Sequence, residues 1–201
     1  MQETTIGSAA QLSPAFVAAL ASYRHSIFIE KLGWQLPTID GQELDQFDRM
    51  DTVYVVGRGE NGSICSCARL LPTIRPYLLG EVFPSLMGEM PVPHAPDIWE
   101  ISRFSSYILG ADSTALERAH RNTKVLLAEI VRFAASAGVR RLITASPLGV
   151  ERLLKRLGVH AHRAAPPRQI DGQLVFACWI EIDEITCAAL AADAPPRITP
   201  S

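Results

Sequence analysis

The chain has 201 residues, of which 48% are hydrophobic and 20% charged, and its formal net charge at pH 7 is −2. These values are typical of a globular protein with one substantial core, and they argue against a disordered or fibrous chain. The small net charge gives no reason to expect a nucleic acid partner. No apolar run is long enough to span a membrane, and the N-terminus lacks the pattern of a secretory signal. We therefore expect a cytoplasmic protein that forms one domain over residues 1–201, with a flexible tail from about residue 194.

Three stretches have the apolar spacing of amphipathic helices. The first starts at Ser13-Pro14, where proline suits the first helical position. The second starts at the capping-box pattern Thr114–Glu117, and the third at Ser146-Pro147. The predicted helices cover residues 12–31, 114–137 and 146–157.

Several stretches are rich in β-branched residues or alternate with a period of two, which predicts strands. Between them, residues 35–51 hold an acidic cluster broken by Leu44 and Phe47, which predicts a loop that folds back on the body. The order of helices and strands predicts an α/β (α+β) fold with a mixed sheet and helices on its faces. The predicted strands are residues 52–58, 63–71, 97–107, 140–145 and 174–182.

In the strand within Asp97–Tyr107, a carboxylate and a hydroxyl lie on the same face as the apolar residues Ile98 and Phe104. Burying such groups without partners costs a few kcal/mol, so they either are paired or meet a ligand. An internal ion pair between Glu100 and an arginine of a neighbouring strand is the alternative. The alternation places Trp99, Ile101 and Arg103 on one face, and Ile98, Glu100, Ser102 and Phe104 on the other.

Arg24, Phe28 and Trp34 form a second candidate group. An arginine fork binds a carboxylate, and aromatic faces attract a cation such as a sulfonium or ammonium. The alternative is that both aromatic residues only fill the core. A mixed-charge set on the acidic loop and two strands accompanies this group: Asp45, Asp48, Arg69, Glu100 and Arg103.

Together these motifs resemble the LuxI-type autoinducer synthases, the N-acyl-homoserine-lactone synthases, from residue 24 to about residue 158. The family pattern Arg-x3-Phe-x5-Trp is matched by Arg24, Phe28 and Trp34. The remaining matches are Glu43, Asp45, Phe47 and Asp48 in the acidic element, Arg69, Phe83-Pro84, the signature Trp99, Glu100, Ser102, Arg103 and Phe104, and the strand end with Thr144 and Ser146.

The resemblance implies a three-layer sandwich like that of the GCN5-type N-acetyltransferases. It also implies that S-adenosylmethionine and an acyl chain on acyl carrier protein are substrates, with no cofactor and no metal. The amine of S-adenosylmethionine would attack the acyl thioester, and the methionine carboxylate would then displace methylthioadenosine to close the lactone.

The resemblance and the residue chemistry together assign expected roles. The catalytic set is Glu100 as base, Ser102 and Arg103. The S-adenosylmethionine set is Arg24, Phe28, Trp34 and Arg103. The electrostatic network that fixes the loop is Glu43, Asp45, Asp48 and Arg69. The acyl pocket is Phe83, Ile98, Phe104, Leu126, Thr144 and Ser146. The basic surface for the acidic carrier protein is Arg118, Lys124, Arg152, Lys155 and Arg156.

Two other functions remain open at this stage. An ordinary N-acyltransferase that uses acyl-coenzyme A normally cradles the pyrophosphate in a glycine-rich loop after the central strand. Here residues 107–112 contain one glycine and no basic start, which counts against that class. A non-catalytic protein that binds acyl carrier protein or lipid would not need Arg24, Phe28, Trp34 and Glu100 together.

Overall fold

The computed structural model describes residues 3–107 and 115–191, with the side chains of the third helix described from residue 120 onward. The strands are β1 Glu3–Ser8, β2 Thr38–Ile39, β3 Gln42–Glu43, β4 Val53–Arg58, β5 Ile64–Pro72, β6 Ile98–Ser105, β7 Arg141–Pro147, β8 Ala161–Arg163, β9 Arg168–Ile170 and β10 Gln173–Glu181. The α-helices are α1 Pro14–Arg24, α2 Leu78–Val82, α3 Ala115–Ser136, α4 Leu148–Arg156 and α5 Glu184–Ala191. A π-helical segment, His25–Lys31, continues α1, and a 3-10 turn, Pro84–Met87, follows α2.

Eight of these strands form one mixed sheet in the order β1-β4-β5-β6-β7-β10-β8, and β9 also pairs with β10. All pairings are antiparallel except that of β6 with β7. These two strands pair only over Ile98–Glu100 and Arg141–Ile143. The described residues that follow in β6 and β7 do not pair with each other, so the ladder opens after Glu100 and Ile143. We call this opening the β6–β7 gap.

The two faces of the sheet are covered by different elements, which gives three layers. The helix face packs against α3, α4 and α5, through apolar residues such as Leu126, Leu154 and Leu190. The loop face packs against α1, the π-helical segment, α2 and residues 35–51. Its two apolar clusters include Phe47 and Leu79 on one side and Leu20, Tyr23, Ile27 and Phe28 on the other. None of the described helices has the length and apolar character needed to cross a membrane.

The predicted elements are present, but the sequence pattern missed several others. Strand β1 has little apolar content, and its extended form depends on pairing with β4. Helices α2 and α5 and the short strands β8 and β9 were also not predicted, and strand β7 continues through Pro147, so that α4 begins at Leu148. Residues 35–51 contain the two-stranded hairpin β2–β3 and fold back on the sheet as expected. The helix start at Thr114 and the tail from residue 194 lie outside the described residues.

A bulge in β6 changes which face its last residues occupy. Cys67 of β5 pairs with Ser105, whereas Arg69 pairs with Ser102, so β6 has one extra residue between these pairs. Arg103 occupies that place with a φ of 51°, and a bulge of this kind re-aims side chains. The strict alternation predicted for this strand is therefore wrong beyond Ser102.

After the bulge, Arg103 lies on the loop face beside Ser102, and Phe104 packs into the core of the helix face. The sequence pattern had placed Arg103 with Trp99 and Ile101, and Phe104 with Ile98 and Glu100. The extra residue exchanges the faces of both side chains because the side-chain period of a strand is two.

Candidate active site

Three buried arginines and three carboxylates form one ion-pair network on the loop face. Arg24 donates from Nε to Glu43 Oε2 (2.6 Å) and from Nη1 to Asp48 Oδ1 (2.7 Å). Arg69 Nη1 lies 2.6 Å from Asp45 Oδ1 and 3.1 Å from Asp48 Oδ2. The network joins the end of α1, strand β5 and the acidic loop, so it fixes the loop against the sheet.

Arg103 completes the network from the bulge in β6. Its guanidinium donates to Glu43 Oε1 (2.9 Å) and to Asp45 Oδ2 (2.8 Å). Without the extra residue in β6, this side chain would point toward the helix face. The bulge therefore brings the third cation to the carboxylates, and Glu43, Asp45, Asp48 and Arg69 lie together with Arg24 and Arg103.

The network holds its carboxylates in the charged form. Burial acts to raise the pKa of Glu43, but hydrogen bonds from Arg103 and Arg24 outweigh it and keep this pKa below its ordinary value. Burial likewise opposes ionisation of Asp48, and hydrogen bonding to Arg24 with the charges of Arg24 and Arg69 lowers its pKa well below the usual range. These groups stay ionised at neutral pH, which suits a scaffold rather than proton transfer.

Glu100 is a fully buried carboxylate on the same face, and among the described residues no arginine forms an ion pair with it. Its oxygens accept hydrogen bonds from the first two backbone N–H groups of α2, at Leu78 (3.0 Å) and Leu79 (2.7 Å). Burial raises the pKa of Glu100 to about 7, although the two backbone hydrogen bonds lower it in part. The carboxylate therefore exchanges a proton near neutral pH, as a general base requires.

Helix α2 is, with the bulge in β6, a feature of the site that the sequence pattern missed. Its residues were predicted to be irregular because prolines flank them, and the alternative partner proposed for Glu100 was an arginine. Tyr77, directly before the helix, donates its hydroxyl to the Pro93 carbonyl (2.7 Å), which anchors the start of α2. The one signal in the sequence for this contact was Glu100 itself, a glutamate two positions before Ser102 on a strand predicted to be buried. Such a carboxylate needs a partner, but the pattern does not say which one.

Ser102 lies two residues beyond Glu100, at the edge of the β6–β7 gap. Its hydroxyl oxygen accepts a hydrogen bond from Arg69 Nε (3.1 Å), so its own O–H is available as a donor. The predicted catalytic residues Glu100, Ser102 and Arg103 thus share the loop face. Arg103, however, donates its hydrogen bonds to the carboxylates of the network.

The predicted S-adenosylmethionine residues are also neighbours. Phe28 and Trp34 stack with their ring centroids 5.0 Å apart, and the guanidinium of Arg103 lies 5.8 Å from the Phe28 ring centroid. The π-helical segment places Phe28, and the Trp34 amide then donates to the Phe28 carbonyl (2.9 Å). Arg24 is fully paired with Glu43 and Asp48, which the sequence pattern did not predict.

The residues predicted for the acyl pocket lie on both faces of the sheet. Phe83 and Ile98 pack in the loop-face cluster with Leu79, near Glu100. Phe104 and Leu126 pack in the core of the helix face. Thr144 and Ser146 are buried on β7 and bond to each other through their hydroxyls (3.0 Å). The bulge moves Phe104 to the helix face, so these residues do not lie on one side of the sheet, and their role in an acyl pocket stays a prediction.

The basic residues predicted for carrier-protein docking are divided between α3 and α4. Arg152, Lys155 and Arg156 are exposed on α4, whereas Lys124 is half-buried on α3 and the side chain of Arg118 lies outside the described residues. A surface cavity of about 710 Å³ lies beside α4, and Arg152, Lys155, His160, His162 and Arg163 are among its lining residues. This cavity lies away from Glu100.

Comparison with known proteins gives a family for this arrangement. The autoinducer synthase family model matches residues 8–190. The acyl-homoserine-lactone synthase of Ralstonia solanacearum is 53% identical over 189 residues, which cover 93% of this chain and 92% of the relative. The crystal structure of TofI in a ternary complex with an inhibitor and MTA has a TM-score of 0.84 at 47% identity and covers 95% of this chain and 97% of TofI.

Two further structures bear on the fold and on the acyl donor. BjaI, a CoA-dependent acyl-homoserine lactone synthase solved with SAM and isopentyl-CoA, has a TM-score of 0.83 at 25% identity, covering 94% of this chain and 88% of BjaI. A putative N-acetyltransferase from Lactobacillus plantarum has a TM-score of 0.61 at 19% identity, covering 90% of this chain and 98% of that protein. The predicted relation to the N-acetyltransferase fold is confirmed. The chain belongs to the autoinducer synthase family and is an acyl-homoserine-lactone synthase.

Proposed function

We propose that this synthase joins the acyl group of an acyl-[acyl carrier protein] to S-adenosylmethionine and closes the lactone, releasing methylthioadenosine. The observation that carries the proposal is the environment of Glu100. It is a buried carboxylate with a pKa of about 7, placed where β6 and β7 part. The α-ammonium of S-adenosylmethionine must lose a proton before its nitrogen can attack, and a base with a pKa near the working pH is suited to remove it.

The amide forms by attack of this amine on the thioester carbon. The nitrogen lone pair makes the new C–N bond, and the carbonyl electrons move to the oxygen. When the carbonyl re-forms, the C–S bond breaks, and the thiolate leaves with its electron pair. The nitrogen gives up two protons: the one removed before attack passes through Glu100 to solvent, and the one lost from the tetrahedral intermediate passes through Glu100, directly or through one water, to the thiolate. The Ser102 hydroxyl would donate to the oxyanion.

Lactone closure needs no further base. A carboxylate oxygen of the methionine part attacks its γ-carbon, and the C–S bond to the sulfonium breaks, so that methylthioadenosine leaves as a neutral thioether. Phe28 and Trp34 would hold the sulfonium through their aromatic faces. Arg24 and Arg103 would help to position S-adenosylmethionine in the same pocket, and the Arg103 guanidinium lies near the Phe28 ring. The MTA in the TofI complex supports this reaction.

The β6–β7 gap would admit the acyl chain. Phe104 and Leu126 pack on the helix face, Ile98 and Phe83 pack on the loop face, and the Thr144–Ser146 hydroxyl pair lies on β7; we infer that these residues would line the chain on either side of the gap. Thr144 is compatible with a chain that carries oxygen at C3. An acyl chain that entered between the strands would contact residues on both faces of the sheet.

An acidic carrier protein would dock on the basic surface of α4. Arg152, Lys155 and Arg156 are exposed there, and α4 begins one residue after β7, at the end of the gap. BjaI favours acyl-coenzyme A as the second candidate donor. We place the enzyme in the cytoplasm, where both donors are made, and its product would act as a quorum-sensing signal.

Mass spectrometry of the purified enzyme with S-adenosylmethionine and matched panels of acyl carrier proteins and acyl-coenzyme A tests the reaction. We expect lactone and methylthioadenosine in equal amounts, with faster turnover from the carrier protein. Faster turnover from acyl-coenzyme A would contradict the assignment of acyl carrier protein as the donor. Formation of the amide without methylthioadenosine would contradict the proposed lactone closure.

The substitution Glu100→Gln tests the assignment of Glu100 as the general base. We expect turnover to fall by about 10²-fold or more, because the amide cannot accept the proton, with little change in the Kd for S-adenosylmethionine. Glu151→Gln, at an exposed ion pair on α4, is the matched control and should keep full turnover. Equal loss of turnover and of binding in Glu100→Gln would make Glu100 a binding residue instead.

The docking surface is tested by Lys155→Ala and Arg156→Ala. Both should raise the KM for acyl carrier protein, more strongly at low salt, and leave the KM for S-adenosylmethionine unchanged. Arg132→Ala removes an exposed arginine from α3 and serves as the control. If all three variants behave alike, the carrier protein does not dock on α4.

A further inference from the structure

Arg69 has a nitrogen that the ion-pair network does not use. Its side chain is completely buried on the loop face, and its Nη1 and Nε donate to Asp45 and Ser102. Its Nη2 is buried and has no hydrogen-bond partner within the described part of the chain. Leaving a buried charged donor unpaired costs more than leaving a neutral one, so this N–H points to a ligand.

The direction of this N–H follows from the planar guanidinium. One N–H of Nη2 runs parallel to the Nε–H, as in the fork that arginine presents to carboxylates. Because Nε–H points at Ser102 Oγ, Nη2 points at a position beside the same hydroxyl. The Ser102 O–H can rotate toward the same position, so that it and the Nη2–H converge on one small region beside Ser102, two residues along the strand from Glu100.

We propose that Arg69 Nη2 and the Ser102 hydroxyl together bind the thioester carbonyl oxygen of the acyl donor and stabilise the oxyanion that forms on it. The inference rests on the proposed function. It gives Arg69 a direct contact with the reacting atoms, in addition to its place in the network.

Charge favours this oxygen over the carboxylate of S-adenosylmethionine. The network balances three arginines against three carboxylates, and Arg69 already faces Asp45 and Asp48. A permanent anion beside it would also lie near the ionised Glu100. A carbonyl oxygen is neutral in the ground state and becomes negative only as the amine attacks, when the proton moves to Glu100. Donors that are fixed before the reaction stabilise such a charge most strongly.

Ser102→Ala, Arg69→Lys and their double variant test the proposal in the full-length enzyme. Single-turnover acyl transfer should slow by about 10²- to 10³-fold in each single variant, because each loses one oxyanion donor. The Kd for S-adenosylmethionine, measured by calorimetry, should stay at the wild-type value. The double variant should lose less than the product of the two single effects, because both donors act on one oxygen. Arg132→Lys, on the exposed side of α3, is the control for the arginine-to-lysine change.

A second measurement does not depend on Arg69→Lys folding. Acyl carrier protein is loaded with an S-acyl or an S-alkyl pantetheine arm of equal length, so that the two ligands differ only in the carbonyl. Wild-type enzyme should bind the thioester more tightly, and Ser102→Ala, which leaves every ion pair in place, should reduce that preference.

The outcomes separate this inference from the proposed function. Equal loss of S-adenosylmethionine binding and acyl transfer in Arg69→Lys would assign Nη2 to the substrate carboxylate and overturn the inference. Wild-type rates in Arg69→Lys, or an unchanged thioester preference in Ser102→Ala, would also overturn it while the wild-type enzyme still makes lactone. A wild-type enzyme that makes no lactone would overturn the proposed function and the inference together.

Discussion

Two sets of buried carboxylates share the loop face of the sheet, and their partners differ in kind. Glu43, Asp45 and Asp48 face three guanidinium groups at distances down to 2.6 Å. Glu100 faces two backbone N–H groups and apolar side chains. Opposite charges lower the pKa of Glu43 and Asp48, whereas burial raises the pKa of Glu100 to about 7.

Under the proposed function, the carboxylates on the acidic loop have a structural role and Glu100 has a chemical one, although all of them lie on the same face of the sheet. A carboxylate that is paired with arginine keeps its charge over the whole neutral range, so it can hold a loop but cannot exchange a proton. For Glu100, burial raises the pKa to about 7 against the two backbone hydrogen bonds and the charges of Arg69 and Arg103, so both of its forms are populated near neutral pH. Backbone amides fix the position of Glu100 without adding a formal charge, which keeps it reactive.

Removing one member of the network should give the largest effect on stability. Glu43→Gln keeps the size of the side chain but leaves Arg24 and Arg103 buried with one fewer anion. We expect the free energy of unfolding to fall by about 3–5 kcal/mol, as for other broken buried ion pairs. Urea denaturation monitored by circular dichroism measures this change.

Glu151→Gln provides the comparison on the surface. Glu151 pairs with Arg163 at 2.5 Å, but both side chains are more than one-third exposed. We expect a loss of less than about 1 kcal/mol, because solvent screens such pairs. If the two variants were equally destabilised, the network would not be the scaffold that we describe.

The two sets should respond to pH in different windows. Glu43 and Asp48 have lowered pKa values when folded, so their contribution to stability is present above the pKa values of the unfolded chain and is lost as acid reaches the folded values. Glu100 has a raised pKa, so its contribution is present below its unfolded pKa and is lost as the pH rises to about 7.

Activity and stability should therefore move in opposite directions between about pH 5 and 7. The kcat/KM should rise tenfold per pH unit below 7 and level off above it, because the base must be ionised. Over the same window the contribution of Glu100 to stability should fall by up to about 3 kcal/mol. Urea titrations at several pH values measure this fall, and Glu100→Gln should abolish it. A wild-type rate that stays constant from pH 5 to 8 would contradict the raised pKa.

The sequence pattern was sufficient for the parts of this site that depend on local spacing. Helix α1, strands β4 to β7 and the folding back of residues 35–51 follow from apolar periodicity and from Leu44 and Phe47. The candidate site residues were chosen from motif spacing, because the resemblance to the synthases joins Arg24, Glu43 and Glu100 before any contact is known. Oppositely charged residues on neighbouring elements also favoured an ion-pair network.

The missed features depend on contacts between distant segments. The bulge at Arg103 is set by the register of β6 against β5, and no local pattern in the strand reports it. Helix α2 has only five residues, and its first N–H groups are satisfied by Glu100 from a later strand. Strict alternation therefore placed Phe104 and Arg103 on the wrong faces, and the flanking prolines obscured the helix whose backbone N–H groups bind Glu100.

The smallest expected effect comes from disturbing α2 without touching Glu100. A Cβ at Gly80 would lie 2.8 Å from the ring of Tyr77, which is fixed by its bond to the Pro93 carbonyl. In Gly80→Ala the start of α2 must shift, and the amides of Leu78 and Leu79 then hold the carboxylate less well. Because these amides lower the pKa of Glu100, we expect the midpoint of the pH–rate profile to move upward by a few tenths of a unit, up to about one unit.

Gly149→Ala is the matched control for this change. Gly149 lies in α4, and an added Cβ would meet nothing within 4 Å, so the substitution should stabilise the helix slightly through its backbone entropy. Its pH midpoint should equal that of the wild-type enzyme. A midpoint that moves downward in Gly80→Ala would contradict the role of α2, because weaker amide bonds can only favour the protonated carboxyl group. An upward shift confined to Gly80→Ala would show that the backbone N–H groups of α2 lower the pKa of Glu100 against the effect of burial.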